Sequence, residues 1–246
     1  MIDLHFHCLP GIDDGPDDWD ESVALCRAAA AQGTTTIIAT PHVLRGPWVN
    51  DDPELRDALI AELNALLGGT PEILPGCEYF LSADAVELVE RGRWSPLTGL
   101  NRTGYLLVEL PSGEVPPHTG ALFHELALLG VTPVLAHPER NRPLSEAPDR
   151  LEELIERGAR VQLTAGSFLG DFGPAASEAS EEMLRRGLVH LVASDAHSLD
   201  RRPPRLAAAR RHVQKTLGEA AASGLFEDNP RAVLLSQPLP WKGAGE

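Results

Sequence analysis

Residues 2–8, IDLHFHC, alternate polar and apolar side chains and give the first indication of the architecture. Alternate side chains of a β-strand point to opposite faces, so Asp3, His5 and His7 are predicted to share one face. The other face is apolar: Ile2, Leu4, Phe6 and Cys8. This alternation predicts a strand that packs its apolar side under helices and turns its polar side inward.

Further β-rich apolar runs follow along the chain, at 35–40, 72–78, 105–110, 132–137, 160–164 and 189–195. Helical patterns lie between the runs, near 18–32, 53–67, 83–91, 118–129, 149–157, 175–186 and 204–217, with a short one near 230–236. Strands that alternate with helices are typical of βα units around a parallel sheet or barrel. Seven units predict an α/β fold with one (β/α)7 barrel. Because no linker or charge block interrupts the pattern, we predict a single domain over 1–246 with a fraying tail at 237–246.

The composition excludes several classes of protein. The 246 residues include 21 basic and 36 acidic side chains, which gives a formal net charge of −15, and 43% of the residues are hydrophobic. The chain is too apolar for a disordered protein, and its three cysteines are too few for a disulfide scaffold. The acidic balance predicts no nucleic-acid partner and no anionic membrane surface. We expect a cytoplasmic protein without membrane insertion, and a homo-oligomer is left open.

Polar residues stand at the C-terminal ends of the predicted strands, where (β/α) barrels assemble their active sites. Such residues are predicted to converge on one rim: His5, His7, Asp14, His42, Glu78, Glu109, His137, Asp195 and His197. Any one of them alone is most simply a hydrogen-bonded rim residue. Nine together would repel one another or stay unsatisfied unless a cation held them. Nitrogen and oxygen ligands without a thiolate suit Mn, Fe or Zn, and the set can serve two or three divalent ions.

Covalent catalysis by cysteine lacks sequence support. The phosphate-binding loop of cysteine-dependent phosphatases needs an arginine six residues after the cysteine, and these positions hold Asp14, Gln32 and Ala83. The chain also has no Gly-x-Ser-x-Gly elbow and no P-loop. Nucleophilic acyl transfer and P-loop nucleotide hydrolysis are therefore not predicted.

Seven short motifs resemble one known superfamily. They read DLHFH at 3–7, DDGP at 13–16, TPH at 40–42, GCE at 76–78, VE at 108–109, AHPER at 136–140 and SDAH at 194–197. This order is similar to the polymerase-and-histidinol-phosphatase (PHP) superfamily. More narrowly, the chain resembles the metal-dependent protein-tyrosine phosphatases of bacterial capsule and exopolysaccharide operons, the CpsB/YwqE type, from residue 1 to about 236. The resemblance implies a distorted, TIM-like (β/α)7 barrel (the PHP fold) with three metal ions, usually manganese (Mn2+).

The resemblance also implies how the ligands divide among three ions. The first ion takes His5, His7, Glu78 and Asp195, the second takes Asp14, His42 and His197, and the third takes Glu78, Glu109 and His137. Asp3 is implied as a second layer that orients an imidazole and fixes its tautomer. Arg140 and Arg202 match arginines near the bound phosphate. The alternative for each arginine is an ordinary surface ion pair with a nearby acid, such as Glu139 or Asp200.

The resemblance implies removal of phosphate from phosphotyrosine on a protein, with the tail of a bacterial tyrosine kinase that regulates capsule or exopolysaccharide synthesis as the expected partner. We predict in-line attack by hydroxide formed on the metals, without a phosphoenzyme. His137 is preferred as a ligand over a proton donor to the leaving group. Two alternatives stay open. One is hydrolysis of a small phosphomonoester such as histidinol phosphate, and the other is a non-catalytic kinase-binding scaffold with structural metals.

Overall fold

The computed structural model of the chain describes residues 1–83, 85, 87, 91 and 99–243. Nine strands lie in this part of the chain, and every ladder between them is parallel. The strands are β1 Ile2–Phe6, β2 Thr36–Ala39, β3 His42–Val43, β4 Glu72–Pro75, β5 Glu78–Phe80, β6 Tyr105–Glu109, β7 Thr132–Ala136, β8 Arg160–Thr164 and β9 Leu191–Ala193.

Two of the predicted strands are each divided by a short interruption. Strands β2 and β3 are separated at Pro41, and β4 and β5 are separated at Gly76. Proline has no N–H for a ladder bond, and the Pro41 carbonyl instead accepts a hydrogen bond from the Glu78 amide at 3.0 Å. A Cβ on Gly76 would lie 2.4 Å from Ile38 Cγ2, so only glycine fits there. The interruptions let both strands change direction just before His42 and Glu78.

The strands close into a barrel. The ladders run β1-β2-β4 in one sheet and β3-β5-β6-β7-β8-β9 in the other, and the two divided strands belong to both. Between β9 and β1, a bridge joins Phe6 to Ala196, and the Asp195 amide donates to the His5 carbonyl at 2.9 Å. Counting each divided strand once gives seven strands, which confirms the predicted distorted (β/α)7 barrel.

Helices follow the strands and cover the outside of the barrel. They are α1 Trp19–Ala31, α2 Pro53–Leu67, α3 Thr119–Leu128, α4 Arg142–Glu146, α5 Asp149–Glu156, α6 Ala165–Phe168, α7 Gly173–Arg185, α8 Leu206–Leu217, α9 Glu219–Ser223 and α10 Asn229–Leu234. Asp18 caps α1 and Asp52 caps α2 through their side-chain oxygens. Most of the predicted helix near 83–91 lies outside the described residues. No helix in the described part is long and apolar enough to cross a membrane.

The predicted division of β1 into one polar and one apolar face is wrong. A register shift lies between Asp3 and Phe6 in the pairing of β1 with β2. Ile2 and Leu4 consequently pack with Ala232 and Val233 of α10. Phe6 and Cys8 pack instead with residues of α1 and α2. An irregularity of this kind reverses the alternation, and the sequence period alone does not reveal it.

The tail also differs from its predicted fraying at 237–246. The Trp241 amide donates to Asn229 Oδ1 at 2.8 Å, and Asn229 Nδ2 donates to the Trp241 carbonyl at 2.9 Å. The Tyr105 hydroxyl donates to the Gln237 carbonyl at 2.6 Å. These bonds hold the described part of the tail, up to residue 243, against the starts of the strands.

Candidate active site

Four buried side chains from three parts of the barrel meet at the C-terminal ends of the strands. His5 Nε2 lies 3.2 Å from His7 Nε2, 3.4 Å from Glu78 Oε2 and 3.3 Å from Asp195 Oδ1. His7 Nε2 lies 3.5 Å from the same Glu78 oxygen and 3.6 Å from the same Asp195 oxygen. Both imidazole nitrogens thus lie within 3.6 Å of the same two carboxylate oxygens, a spacing that the ligands of one ion can adopt.

A second group of side chains adjoins the first. Asp14 Oδ1 lies 3.2 Å from His42 Nε2 and 3.2 Å from His197 Nε2. The rings of His7 and His197 stack with centroids 3.8 Å apart, so the two groups are in contact. The structure thus brings together Asp14, His42 and His197, the three residues that the resemblance implied for a second ion.

Glu78 is the centre of a third group. Its Oε1 lies 2.8 Å from His137 Nε2, and its Oε2 lies 2.9 Å from His42 Nδ1. Glu109 Oε2 lies 3.8 Å from His42 Nδ1. Glu109 is therefore grouped with His42 and Glu78, whereas His137 is grouped with His5 and Asp195. The third ligand set of the resemblance, with Glu109 beside His137, is divided between two neighbouring groups in the structure.

Two of these residues have a left-handed backbone. The φ angle is 36° at His137 and 53° at Asp195. Non-glycine residues rarely adopt this conformation, and it concentrates at functional sites. At His137 it changes the direction of the side chain. Leu135, two residues earlier in β7, packs in an apolar cluster with Phe123 rather than toward the site.

The outward nitrogens of His5, His7 and His197 have acceptors that fix their tautomers. His5 Nδ1 lies 2.8 Å from Gln162 Oε1, while Gln162 Nε2 donates to the Leu163 carbonyl at 2.7 Å, which leaves the amide oxygen for His5. His7 Nδ1 donates to Asp13 Oδ2 at 2.7 Å, and His197 Nδ1 donates to the Asp195 carbonyl at 3.0 Å. Each Nε2 therefore presents its lone pair to the cluster.

Asp3 has a different role from the implied one. Its Oδ1 accepts hydrogen bonds from the Ser194 amide at 3.0 Å and from the His5 amide at 3.5 Å, both backbone groups. Burial raises its pKa to about 6, against the lowering effect of these bonds. Asp3 therefore ties β1 to the residues before Asp195. The imidazoles are oriented instead by Gln162 and Asp13, and the sequence analysis assigned this role to neither residue.

Asp13 has a recognisable sequence signal. Its Oδ1 accepts from the Gly15 amide at 2.9 Å, the bond of an Asx turn, while its Oδ2 also accepts from the His42 amide at 3.1 Å. A Cβ on Gly15 would lie 3.0 Å from the His7 carbonyl oxygen, a tight contact that glycine avoids. The Asp-Asp-Gly sequence is therefore a turn that supports His7 and His42 while it presents Asp14.

The chemistry of the cluster fits divalent cations. Several buried atoms in it have no hydrogen-bond partner among the described residues: His42 Nδ1, Glu78 Oε2, Glu109 Oε2 and His197 Nε2. Each of these atoms lies close to an ionisable partner but lacks the alignment of a hydrogen bond: His42 Nδ1 beside Glu78 Oε2, Glu109 Oε2 beside Arg45 Nε, and His197 Nε2 beside Asp14 Oδ1. Buried polar atoms left in this state are costly, and ligation of a cation would satisfy them.

The site is strongly coupled electrostatically. Burial disfavours the charged forms, but the negative charges of Glu78 and Asp195 prevail and raise the pKa of His5 to about 9. Burial opposes ionisation of Asp195 too, yet His5 and Arg140 hold its pKa well below the usual range. Burial and the Glu78 charge raise the pKa of Glu109 to about 7. Such perturbed groups clustered in a cleft are typical of functional sites.

Three arginines approach the carboxylates from the open side. Arg140 Nη2 lies 2.8 Å and Arg202 Nη2 2.5 Å from Asp195 Oδ2. Arg45 Nε lies 2.6 Å from Glu109 Oε2, and all three arginines line a cavity of about 200 Å³. Arg140 and Arg202 thus lie at the site, as the resemblance implied, rather than paired with Glu139 or Asp200. Arg45 was missed because a loop arginine carries no distinctive pattern.

The turn after β7 explains its motif, HPERN at 137–141. Glu139 is buried, and its Oε1 accepts from the Thr164 amide at 3.0 Å and from Ser167 Oγ at 2.7 Å. Asn141 caps α4 through the Leu144 amide at 3.2 Å. These two side chains brace the turn between His137 and Arg140.

A parallel barrel with a buried histidine and carboxylate cluster at its C-terminal rim has the architecture of a metal-dependent hydrolase. The comparisons with known proteins specify the class further. The chain belongs to the capsular polysaccharide synthesis family CpsB/CapC, which matches residues 1–235.

Relatives of this family match nearly the whole chain. The chain is 38% identical to the tyrosine-protein phosphatase YwqE of Bacillus subtilis, covering 97% of this chain and 93% of the relative. It is 32% identical to the tyrosine-protein phosphatase CpsB of Streptococcus pneumoniae, covering 96% and 99%. A crystal structure from work on these two proteins, described as unique metal-dependent tyrosine phosphatases, superimposes with a TM-score of 0.91 at 37% identity, covering 97% of this chain and 96% of the other.

Proposed function

We propose that this chain is a metal-dependent phosphatase that removes phosphate from phosphotyrosine on proteins. The proposal rests mainly on one cavity, in which Arg45, Arg140 and Arg202 face a buried cluster of histidines and carboxylates. The names of the relatives support phosphotyrosine as the substrate. The family's place in capsular polysaccharide synthesis supports, as the cellular partner, the tail of a bacterial tyrosine kinase that regulates polysaccharide export.

The ligands in this proposal are the nine predicted residues. One ion would be held by His5, His7, Glu78 and Asp195, a second by Asp14, His42 and His197, and a third by Glu78 with Glu109 and His137, all of which lie in the overlapping groups of the cluster. Divalent ions bound there would lower the pKa of a coordinated water and neutralise phosphate charge. The nitrogen and oxygen donors support Mn2+, with Fe or Zn as outcomes of the metal analysis.

The arginines bind the phosphoryl oxygens in this proposal. A guanidinium donates two parallel hydrogen bonds to an oxyanion, and its charge stabilises the transition state of phosphoryl transfer. The Arg140 guanidinium lies 4.6 Å from the centroid of the Phe172 ring, which supports its plane from one side. Arg140 and Arg202 share Asp195 Oδ2, so their free N–H groups converge on the same part of the cavity.

The cysteines do not support a mechanism in which a thiol is phosphorylated as an intermediate. Cys8, Cys26 and Cys77 are buried, and burial raises the pKa of Cys77, beside Glu78, to about 12. A catalytic cysteine needs a lowered pKa and access to substrate. Direct attack by water on phosphorus is therefore the proposed route.

The loop that continues from the cavity residues His42 and Arg45 offers a flat surface for an aromatic leaving group. The Trp48 ring stacks on His42 with centroids 5.2 Å apart and an angle of 17°. Leu44 and Val49 on the same loop are exposed, with 37% and 51% of their surface accessible. An aromatic and apolar rim suits the ring of phosphotyrosine and the polypeptide around it better than a small polar ester.

The substrate test compares a phosphotyrosyl peptide with histidinol phosphate, using protein loaded with Mn2+. We expect a higher kcat/KM for the peptide. A higher kcat/KM for histidinol phosphate would replace the proposal with a small-molecule phosphatase. A second assay tests the proposed partner. It measures phosphate release from the phosphorylated tail of a bacterial tyrosine kinase, with the unphosphorylated tail as the control.

The catalytic role is tested with His42→Ala. We expect the variant to lose turnover and to keep the circular dichroism spectrum of the parent, with reduced metal content by elemental analysis. Two outcomes would favour a scaffold whose metals are structural. One is turnover equal to that of the parent. The other is partial unfolding of the variant while the molecules that remain folded keep full turnover. His118→Ala, on the exposed start of α3, serves as the matched control.

A further inference from the structure

Arg45 and Trp48 stand opposite each other on the loop between β3 and α2. The Arg45 amide donates to the Trp48 carbonyl at 3.1 Å, and the Trp48 amide donates to the Arg45 carbonyl at 3.0 Å. Asn50 ties the end of this loop to the barrel, because its Nδ2 donates to the Ile12 and His42 carbonyls, both at 2.8 Å. The loop thus holds the Arg45 and Trp48 side chains beside His42.

The Arg45 guanidinium contacts two of the proposed metal ligands directly. Its Nη1 donates to His42 Nε2 at 3.0 Å, and its Nε lies 2.6 Å from Glu109 Oε2. An arginine can only donate, so His42 Nε2 accepts this bond with its lone pair. The same nitrogen lies 3.2 Å from Asp14 Oδ1, in the group of side chains proposed for the second ion. One nitrogen lone pair binds either the guanidinium or a metal ion, but not both at once.

The other two arginines of the cavity are placed differently. Arg140 and Arg202 contact Asp195 through Oδ2, whereas Oδ1 of the same carboxylate is the oxygen that faces His5. Their charges therefore balance a carboxylate whose other oxygen is directed at the histidines. Of the three arginines that line the cavity, Arg45 alone donates to a ligand nitrogen in the described part of the chain.

Arg45 can leave His42 and keep a partner for its charge. Its side chain is 34% exposed, so the loop does not enclose the guanidinium. The guanidinium carbon lies 5.7 Å from the centroid of the Trp48 ring, and that ring stacks on His42. The face of an indole attracts a guanidinium within about 6 Å of the ring centroid. A rotation about the side-chain bonds of Arg45 therefore exchanges the contact with His42 for a closer contact with Trp48.

We propose that Arg45 competes with the divalent ion held by Asp14, His42 and His197, and that this competition sets the metal concentration at which the ion binds. The guanidinium and the ion carry charges of the same sign and need the same lone pair, so binding of one disfavours the other. When the ion is bound, Arg45 lies against Trp48, and its N–H groups become available to a phosphate. This inference rests on the proposed function as a metal-dependent phosphatase and adds a regulation of the same site.

The test is a calorimetric titration of the chelated full chain with Mn2+, for the parent and for Arg45→Met. Methionine keeps an unbranched side chain but removes the charge and the donors. His42→Ala identifies the binding step that belongs to this ion, because it removes the shared nitrogen. We expect that step to tighten at least about tenfold in Arg45→Met, because no charge-assisted hydrogen bond to His42 has to be broken.

Two further measurements support the titration. The Mn2+ concentration that gives half-maximal turnover of a phosphotyrosyl peptide should fall in Arg45→Met by the same factor as the dissociation constant. Arg45→Gln, a second uncharged variant, should tighten the same binding step. Circular dichroism checks that both variants keep the fold of the parent.

The matched control is Arg140→Met, which removes an equal charge from the same cavity but no bond to a ligand nitrogen. The step should not tighten in this control. Equal tightening in Arg45→Met and Arg140→Met would assign the effect to the net charge of the cavity and overturn the proposal. Equal affinities of the parent and Arg45→Met would also overturn it. A parent that binds Mn2+ but does not hydrolyse the phosphotyrosyl peptide would contradict the proposed substrate, while the titration still decides the competition.

Discussion

The two ends of the barrel treat buried charge in opposite ways. At the C-terminal rim, carboxylates and imidazoles crowd together and leave four buried atoms without hydrogen-bond partners. At the other end, an apolar cluster that includes Ile2, Leu107 and Val233 fills the barrel, and a cavity beside it holds Arg160 and His190 without a carboxylate. The contrast indicates that stability is built at one end and that unsatisfied polar groups are retained at the other for binding.

The largest effect is expected from Glu78→Gln. Glu78 contacts His5, His7, His42 and His137, so the variant removes the charge that all of these rings face. We expect kcat/KM for a phosphotyrosyl peptide to fall at least about 10³-fold, equivalent to about 4 kcal/mol in the barrier. Bound metal should fall in parallel by elemental analysis. Glu72→Gln, exposed at the start of β4, is the control, and equal activity of both variants would contradict a role for the rim cluster.

Arg140→Gln should have the next largest effect. The side chain reaches the cavity from the braced turn after β7, and loss of one donor to a developing oxyanion reduces turnover by about 10²–10³-fold. Metal content should stay at the level of the parent, which distinguishes this variant from Glu78→Gln. Arg142→Gln removes a largely exposed arginine two residues away and should keep full activity. Loss of metal in Arg140→Gln would show that the arginine supports the cluster rather than the substrate.

Variants of the groups behind the ligands should have intermediate effects. Asp13→Asn and Gln162→Leu each weaken the acceptor of an imidazole N–H, and such changes typically lower metal affinity or activity by about 10–100-fold. Metal titration of the chelated protein measures the change. Asp17→Asn in the same loop as Asp13 is the exposed control. Affinity equal to that of the parent in both variants would mean that the tautomers are fixed in another way.

Much of this rim could be predicted from the chain alone. Parallel strands bring their C-terminal ends together, so the predicted residues converged once seven strands were counted. The shift in β1 and the left-handed backbone of His137 depend on contacts with distant strands and have no local signature. The role of Gln162 behind His5 could have been suspected from the sequence, because it is a lone amide among the residues of a buried strand. The position of Arg45 at the site could not, because it lies in a loop.

The smallest effect concerns the other end of the barrel and the acid stability of the fold. Burial and the nearby charge of Arg160 lower the pKa of His190 to about 4, from an ordinary value of about 6.5. Between about pH 6.5 and about pH 4, His190 is therefore protonated in the unfolded chain and neutral in the folded chain. The free energy of unfolding consequently falls as the pH drops from about 6.5 to 4. Tyr105 and Lys242 are the other titratable groups lining the cavity that holds His190 and Arg160.

The measurement is urea unfolding of the parent and of His190→Gln at pH 7 and pH 5. Between these pH values the parent should lose about 2 kcal/mol more unfolding free energy than the variant. Metal release in acid affects both proteins equally and cancels in the difference. Parallel losses in the two proteins would mean that His190 does not titrate in this window.

The braced turn from His137 to Asn141 has a practical consequence. Since Glu139 and Asn141 anchor it, the imidazole and the Arg140 guanidinium keep a fixed spacing. We therefore expect the aryl part of a substrate to be selected by the loop that carries Arg45 and Trp48. For inhibitor chemistry, a phosphate-mimicking head group can be held constant while selectivity is sought by varying only the aryl group that faces this loop.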